Sequence, residues 1–341
     1  MKYRMPKKSI TFWFVRYLGA CFLWTGLCIH LYAQTVTTPT PLSEKGKTVK
    51  VKFSETGITV KAEDIERVTS KEDEVKAHVG KSINEIKSFI VSLEQDVRAM
   101  ILYRDRLRQG KKDYQGKQAN QKYLELMGIE IEAVEEKIDI DNELIETYED
   151  RITVLQDHQK VYSDQVVLLK SIFKLDDAVS VTPYDAAPVI WEDIDVVTSN
   201  IIEIQDGIKE KAAVVSFFTN RLKEIIDKAF VDEQNLAKSL KTAIEGSGNG
   251  EFTKKLQEKV ESVLQWKKAV NEQRIAIFKT RLETSTIRYD TGLQVWKNAE
   301  INLSFLEEKL RRLEEKQKQK QKEEELKKKQ AELEATKKPR K

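Results

Sequence analysis

Between Leu124 and Phe173, fifteen positions follow one another in alternating steps of three and four residues without a slip. They are Leu124, Met127, Ile131, Val134, Ile138, Asp141, Ile145, Tyr148, Ile152, Leu155, Gln159, Tyr162, Val166, Leu169 and Phe173. All but Asp141 and Gln159 are apolar or Tyr. Strand side chains repeat every two residues, so a pattern with this period admits an α-helix and excludes a strand. Fifty residues of helix span about 75 Å. A repeat held at 3.5 residues over that distance predicts left-handed supercoiling against a partner helix.

Three further stretches carry the same signal. Ile83, Ile86, Ile90, Leu93, Val97, Met100 and Leu107 form a seam, with Arg104 in the remaining place. Gly110, Asp113 and Gly116 then mark a turn, and a short connection between long helices implies an antiparallel hairpin. Pro183 and Pro188 break the pattern with a hinge at 176–189, because proline lacks the amide that a helix interior needs. A third helix follows through Ile190, Ile194, Val197, Ile201, Ile204, Ile208, Lys211, Val215, Phe218, Leu222, Ile225, Ala229, Asp232 and Leu236, ending at the glycines of 246–250. A fourth begins near Phe252 with Leu256, Val260 and Val263, shifts register near Trp266, and continues from Phe278 to Leu313.

The reading is an all-α chain of long antiparallel helical hairpins, 63–175 and 190–313, forming an elongated coiled coil or four-helix bundle. The hairpins can lie side by side or end to end. Leu126, Ile129, Ile140 and Leu144 widen the apolar face of the second helix, which favours a bundle. Residues 34–62 read as a linker, with either a small β-hairpin or an extended segment at 48–61, where Val49, Val51 and Phe53 alternate with lysines. Residues 314–341 hold eleven Lys or Arg and seven Glu. This predicts a charged tail, a fraying single helix that ends in disorder.

Residues 1–33 read as a targeting segment. Lys2, Arg4, Lys7 and Lys8 precede an apolar run from Tyr17 to Ala33, shorter than a typical membrane span, which favours a signal peptide. A retained N-terminal anchor is the alternative. Leu18-Gly-Ala-Cys21 resembles a lipobox, but Arg16 interrupts the apolar run before it, so an unmodified cysteine is the expectation. Both cysteines, Cys21 and Cys28, lie in this leader, so an exported body without it holds no disulfide framework. The formal charge of +3 is also partly the leader's. Without its five basic residues, 54 basic stand against 56 acidic, a net charge of −2. That near-neutral body argues against a dedicated nucleic-acid binder.

Nothing in the body suggests catalysis. Outside the leader, His78 and His158 stand apart in polar stretches and read as solvated helix-surface residues. No H-E-x-x-H, C-x-x-C or G-x-S-x-G occurs, and the glycine-rich 246–250 follows a helix and lacks the Lys-Ser/Thr of a phosphate loop. No catalytic residue, cofactor or metal ligand is assigned, and no small-molecule substrate is expected. The polar seam residues Asp141, Gln159, Lys211 and Asp232 are the candidate sites. Each either sets helix register or marks a seam open to water. Trp296 reads as core, and Trp191 as a staple of the hinge.

The expected function is a non-catalytic, exported coiled-coil protein of the cell envelope. It would act as a scaffold or spacer, with protein partners, or further copies of itself, held through helical seams. The leader, the Thr/Pro linker of 35–41 and seams such as Leu124–Phe173 resemble the periplasmic helical region of large mechanosensitive channels of the small-conductance type, over residues 60–313. That resemblance implies an accessory of a membrane channel or transport system. The membrane helices that follow in those channels are not in this sequence, so a conducting pore is not expected. An efflux or secretion adaptor is a third reading, lowered by the near absence of flanking β-structure.

Overall fold

The computed structural model describes residues 53–54, 57–58, 60–115, 120–244 and 250–337. Over these residues the chain is an all-α helical bundle. Its helices are α1 (Ala62–Gln115), α2 (Gln121–Phe173), the short α3 (Leu175–Val181), α4 (Ala187–Ile244) and α5 (Glu251–Lys337). The leader, the first part of the linker and the glycines at 246–249 lie outside the described residues. Two-residue strands, Phe53–Ser54 and Gly57–Ile58, pair antiparallel as a minimal hairpin beside α5.

α1 runs to Gln115, through Gly110 and Asp113, where a turn was expected; Gly116, the third residue of that expectation, lies outside the described residues. The next helix opens where Asn120 accepts a hydrogen bond from the Lys122 amide at 3.0 Å, satisfying one of the donors a helix start leaves free.

The two hairpins lie side by side. α1 packs along α2, α2 along α5, and α5 along α4, giving the order α1–α2–α5–α4. Within each hairpin the helices are antiparallel. α2 and α5 run parallel, as the pairs Glu130–Ser262, Glu143–Arg281 and Asn298–Val161 show, all rising together. The two inner helices therefore need two apolar faces each. On α2, Ile131, Val134 and Ile138 meet Val97, Met100 and Leu107 of α1. Its second stripe, Ile140 and Leu144, meets Val270 and Ile277 of α5.

α5 remains one continuous helix through Trp266. The expected register shift there is the point where two stripes become legible. Val263, Val270, Ile277 and Thr284 are buried in one heptad line. Phe278 stands on the other, edge-to-face with Phe218 of α4 at 6.3 Å. At Gly292 a Cβ would sit 3.3 Å from both Ile208 Cγ1 and Lys211 Nζ, so the glycine allows α4 to lie close.

The proline-marked break holds a short cap. Leu175 and Val179 of α3 are buried with Ala187, Ile190, Ile194, Leu310 and Leu313. Arg312 pairs with Asp176, and Lys316 donates to the carbonyls of Val179 and Ser180, both at 3.1 Å. Pro188 falls in the first turn of α4, where no amide is required. Trp191 is 53% exposed and does not staple this cap. Beyond Leu313, α5 continues through Lys337, and every residue from Lys318 to Glu332 is exposed.

Candidate functional site

The sequence-predicted polar positions separate into distinct cases. Asp141 is fully buried, and both its carboxylate oxygens accept from Lys137, itself buried, one turn earlier on the same helix. Burial pushes the Asp141 carboxyl up; Lys137 opposes this, and Asp96 of α1 adds to it. Because both partners sit on α2, this pair cannot set how two helices align. Gln159 is half-buried on α2. Lys211 is half-buried and lies over Gly292.

Asp232 is exposed, and its neighbour Glu233 turns inward instead, accepting from Asn271 of α5 at 3.3 Å. The inward-facing positions there run 225, 229, 233, 236. The two steps of four come in succession, so the seam passes through Glu233 rather than Asp232 and meets the expected pattern again at Leu236. Trp296 is half-buried, and its indole N–H finds no acceptor among the described residues.

The groups that do cross between helices were not among the predicted ones. Glu130 of α2 is 0% exposed. Its carboxylate accepts from the Tyr103 hydroxyl of α1 at 2.7 Å, from the Ser262 hydroxyl of α5 at 2.5 Å, and from the Lys259 ammonium of α5. One carboxylate thus ties three helices at one level. Burial, with the hydrogen bond to Glu130 second, pushes the Tyr103 hydroxyl up to about 12. Trp266 stacks on Tyr103 with ring centroids 5.7 Å apart, closing the network from the side.

A ladder of ion pairs follows along the α2–α5 edge. Glu136 pairs with Arg274, Glu143 with Arg281 at 2.8 Å, and Asp150 with Arg288 at 2.5 Å. The rungs repeat every seven residues on both helices with a constant offset of 138. Half-exposed pairs of this kind are worth about 0–1 kcal/mol each, so the ladder specifies parallel register more than it stabilises.

His158, expected on a solvated surface, is half-buried; its Nδ1 lies 2.9 Å from the Thr291 hydroxyl of α5, and its ring is edge-on to Tyr162. Lys71 of α1 sits over the Tyr162 ring, and Asp290 of α5 faces that same tyrosine. Burial holds the imidazole below its ordinary range, and Lys71 adds to the effect. A lowered folded-state pKa means that the fold favours neutral His158. Its contribution is present above the unfolded value, about 6.5, and is lost as pH falls from there toward the folded value. The expected result is a urea midpoint that falls between pH 7.5 and pH 5.5, and falls less in His158→Gln. An identical fall in both would count against this assignment.

Among the described residues, two surfaces have no packing partner. On α4 the exposed large apolar side chains include Val196, Ile202, Phe217, Phe230 and Trp191. Between α2 and α5, above the last rung of the ladder, lies a groove of about 480 Å³ lined by Val167, Leu168, Val295 and Ala299, with Asp164 and Asn302 among its polar residues.

Among the described residues no group of His, Cys, Asp and Glu is arranged to hold a metal ion, and no helix is long and apolar enough to cross a membrane. Compared with known protein families, curated proteins and solved structures, the chain finds no match.

Proposed function

We propose that this chain is a non-catalytic scaffold or spacer of the cell envelope, exported behind its N-terminal leader, which holds partner proteins along its outer helix α4. One observation carries the reading. Nine of the eighteen exposed large apolar side chains among the described residues lie on α4, with Phe217 59% and Phe230 64% exposed. Single exposed apolar residues are ordinary, but a concentration along one helix marks a contact surface. α4 already spends its seam on α5, so this second set of apolar groups suits the apolar stripe of another protein's helix. The buried ionisable groups support a structural role. Glu72, Glu130 and Asp141 are each engaged by fixed partners.

The alternative partner is a channel or transport protein of the same membrane, and identity of the bound protein separates the two readings. Replacing Phe217 and Phe230 together by serine is expected to leave thermal stability almost unchanged, as for other exposed positions. It should also abolish co-purification of the partner from native membranes. Undiminished recovery of that partner would sink the α4 assignment, and turnover of a substrate by the purified chain would overturn the non-catalytic one.

A further inference from the structure

The ion-pair ladder stops before its acidic half does. α2 carries acidic residues at five successive heptad positions, Glu136, Glu143, Asp150, Asp157 and Asp164. α5 answers the first three with Arg274, Arg281 and Arg288, but at the next two equivalent positions it has Val295 and Asn302. Asp157 and Asp164 are exposed, and neither forms an ion pair among the described residues. The groove opens at these two vacant rungs. Asp164 and Asn302 border it, and Val167, 64% exposed, lies beside Leu168, Val295 and Ala299. An apolar trough edged by carboxylates seven residues apart calls for a helix with an apolar side chain between two basic residues at the same spacing.

This chain contains such a helix. In the part of α5 that runs beyond Leu313, Leu326 is 59% exposed, and Lys322 and Lys329 flank it at heptad spacing. Seven lysines against four glutamates give residues 316–332 a net charge of +3. α5 is unbroken from the groove to this segment, so a chain cannot fold its own segment back into its own groove. We propose that two copies associate antiparallel, with the 316–337 segment of each seated in the α2–α5 groove of the other. Leu326 enters the apolar trough, while Lys322 and Lys329 take the rungs at Asp164 and Asp157.

The lengths allow both seats to be filled at once. The groove residues of α5 lie roughly 15–30 Å before Leu313, and a helix of 22 residues reaches about 33 Å. Reciprocal insertion of one segment is an isologous, closed two-fold contact.

The test is sedimentation of the full chain across a concentration series, at about 0.05 M and about 0.5 M salt. A dimer that weakens with salt is expected. Asp157→Lys with Asp164→Lys should weaken it at least about tenfold, as should Lys322→Glu with Lys329→Glu. Combining all four should restore it, because both charges are then reversed. The changed side chains are exposed and unpacked, and an unchanged helical melt confirms that each variant folds. A photo-crosslinker at position 326 should link heavy- to light-labelled copies at residues 161–171 or 295–302. A chain that stays monomeric, a dimer indifferent to the double reversals, or crosslinks elsewhere would each overturn the proposal. Phe217→Ser with Phe230→Ser should leave this dimer intact, so failure of the α4 reading and failure of this one are told apart.

Discussion

Glu130→Ala is expected to lower the unfolding free energy by about 3–5 kcal/mol, the cost of leaving one half of a buried ion pair without its counter-charge. The size follows from what would remain. Lys259 keeps only 15% of its side chain exposed, and the Tyr103 and Ser262 hydroxyls lose their acceptor in the same stroke. Urea denaturation of the single variant measures the loss. Glu130→Met combined with Lys259→Met should recover most of it, since an apolar pair of similar volume removes the uncompensated charge. A loss below about 1 kcal/mol in the single variant would show that water reaches the network and that it does not lock the three helices.

Ile277→Ala should cost about 2–5 kcal/mol, combining lost transfer energy with the cavity left behind. Ile277 is 1% exposed and packs with Ile140, Leu144 and Val270 at the centre of the α2–α5 contact. Ile202→Ala provides the contrast, because Ile202 is 58% exposed on α4 and its truncation should change stability by under about 0.5 kcal/mol. Comparable losses at both positions would mean that α4's outer surface is already covered in the purified protein. A small loss at Ile277 alone would mean that the two hairpins do not depend on their shared seam.

The helices themselves were legible because their period is long and clean. Fifteen heptad positions from Leu124 to Phe173 leave little room for another reading, and the wider stripe at Ile140 and Leu144 already pointed to a second packing face. The inner seam of α5 was harder to see. It runs Val263, Val270, Ile277, then Thr284, Thr291 and Asn298, so its later positions look like surface. Thr284 and Thr291 satisfy themselves locally by donating to carbonyls one turn back, whereas Asn298 donates across to the Val161 carbonyl of α2.

Glu130 was missed for a related reason. A glutamate in a charged helix reads as solvated, and its partners lie 27 to 132 positions away. The ladder did leave a trace in the sequence, because acidic and basic residues repeat in step at 136, 143, 150 and 274, 281, 288. The seam at Asp232 follows from a strict alternation of threes and fours, and in α4 two fours come in succession there, which turns Glu233 inward instead.

The parallel pairing of α2 with α5 also governs the order in which the protein can fold. Each hairpin closes over a short connection, and contacts between chain neighbours form early. The rung between Glu143 and Arg281 joins residues 138 positions apart, and it cannot form until the first third of α5 has been synthesised. Until then the second stripe of α2, Ile140 and Leu144, has no cover. The half-made protein is a two-helix hairpin with one greasy side, the state in which it is most exposed to aggregation and most in need of a chaperone.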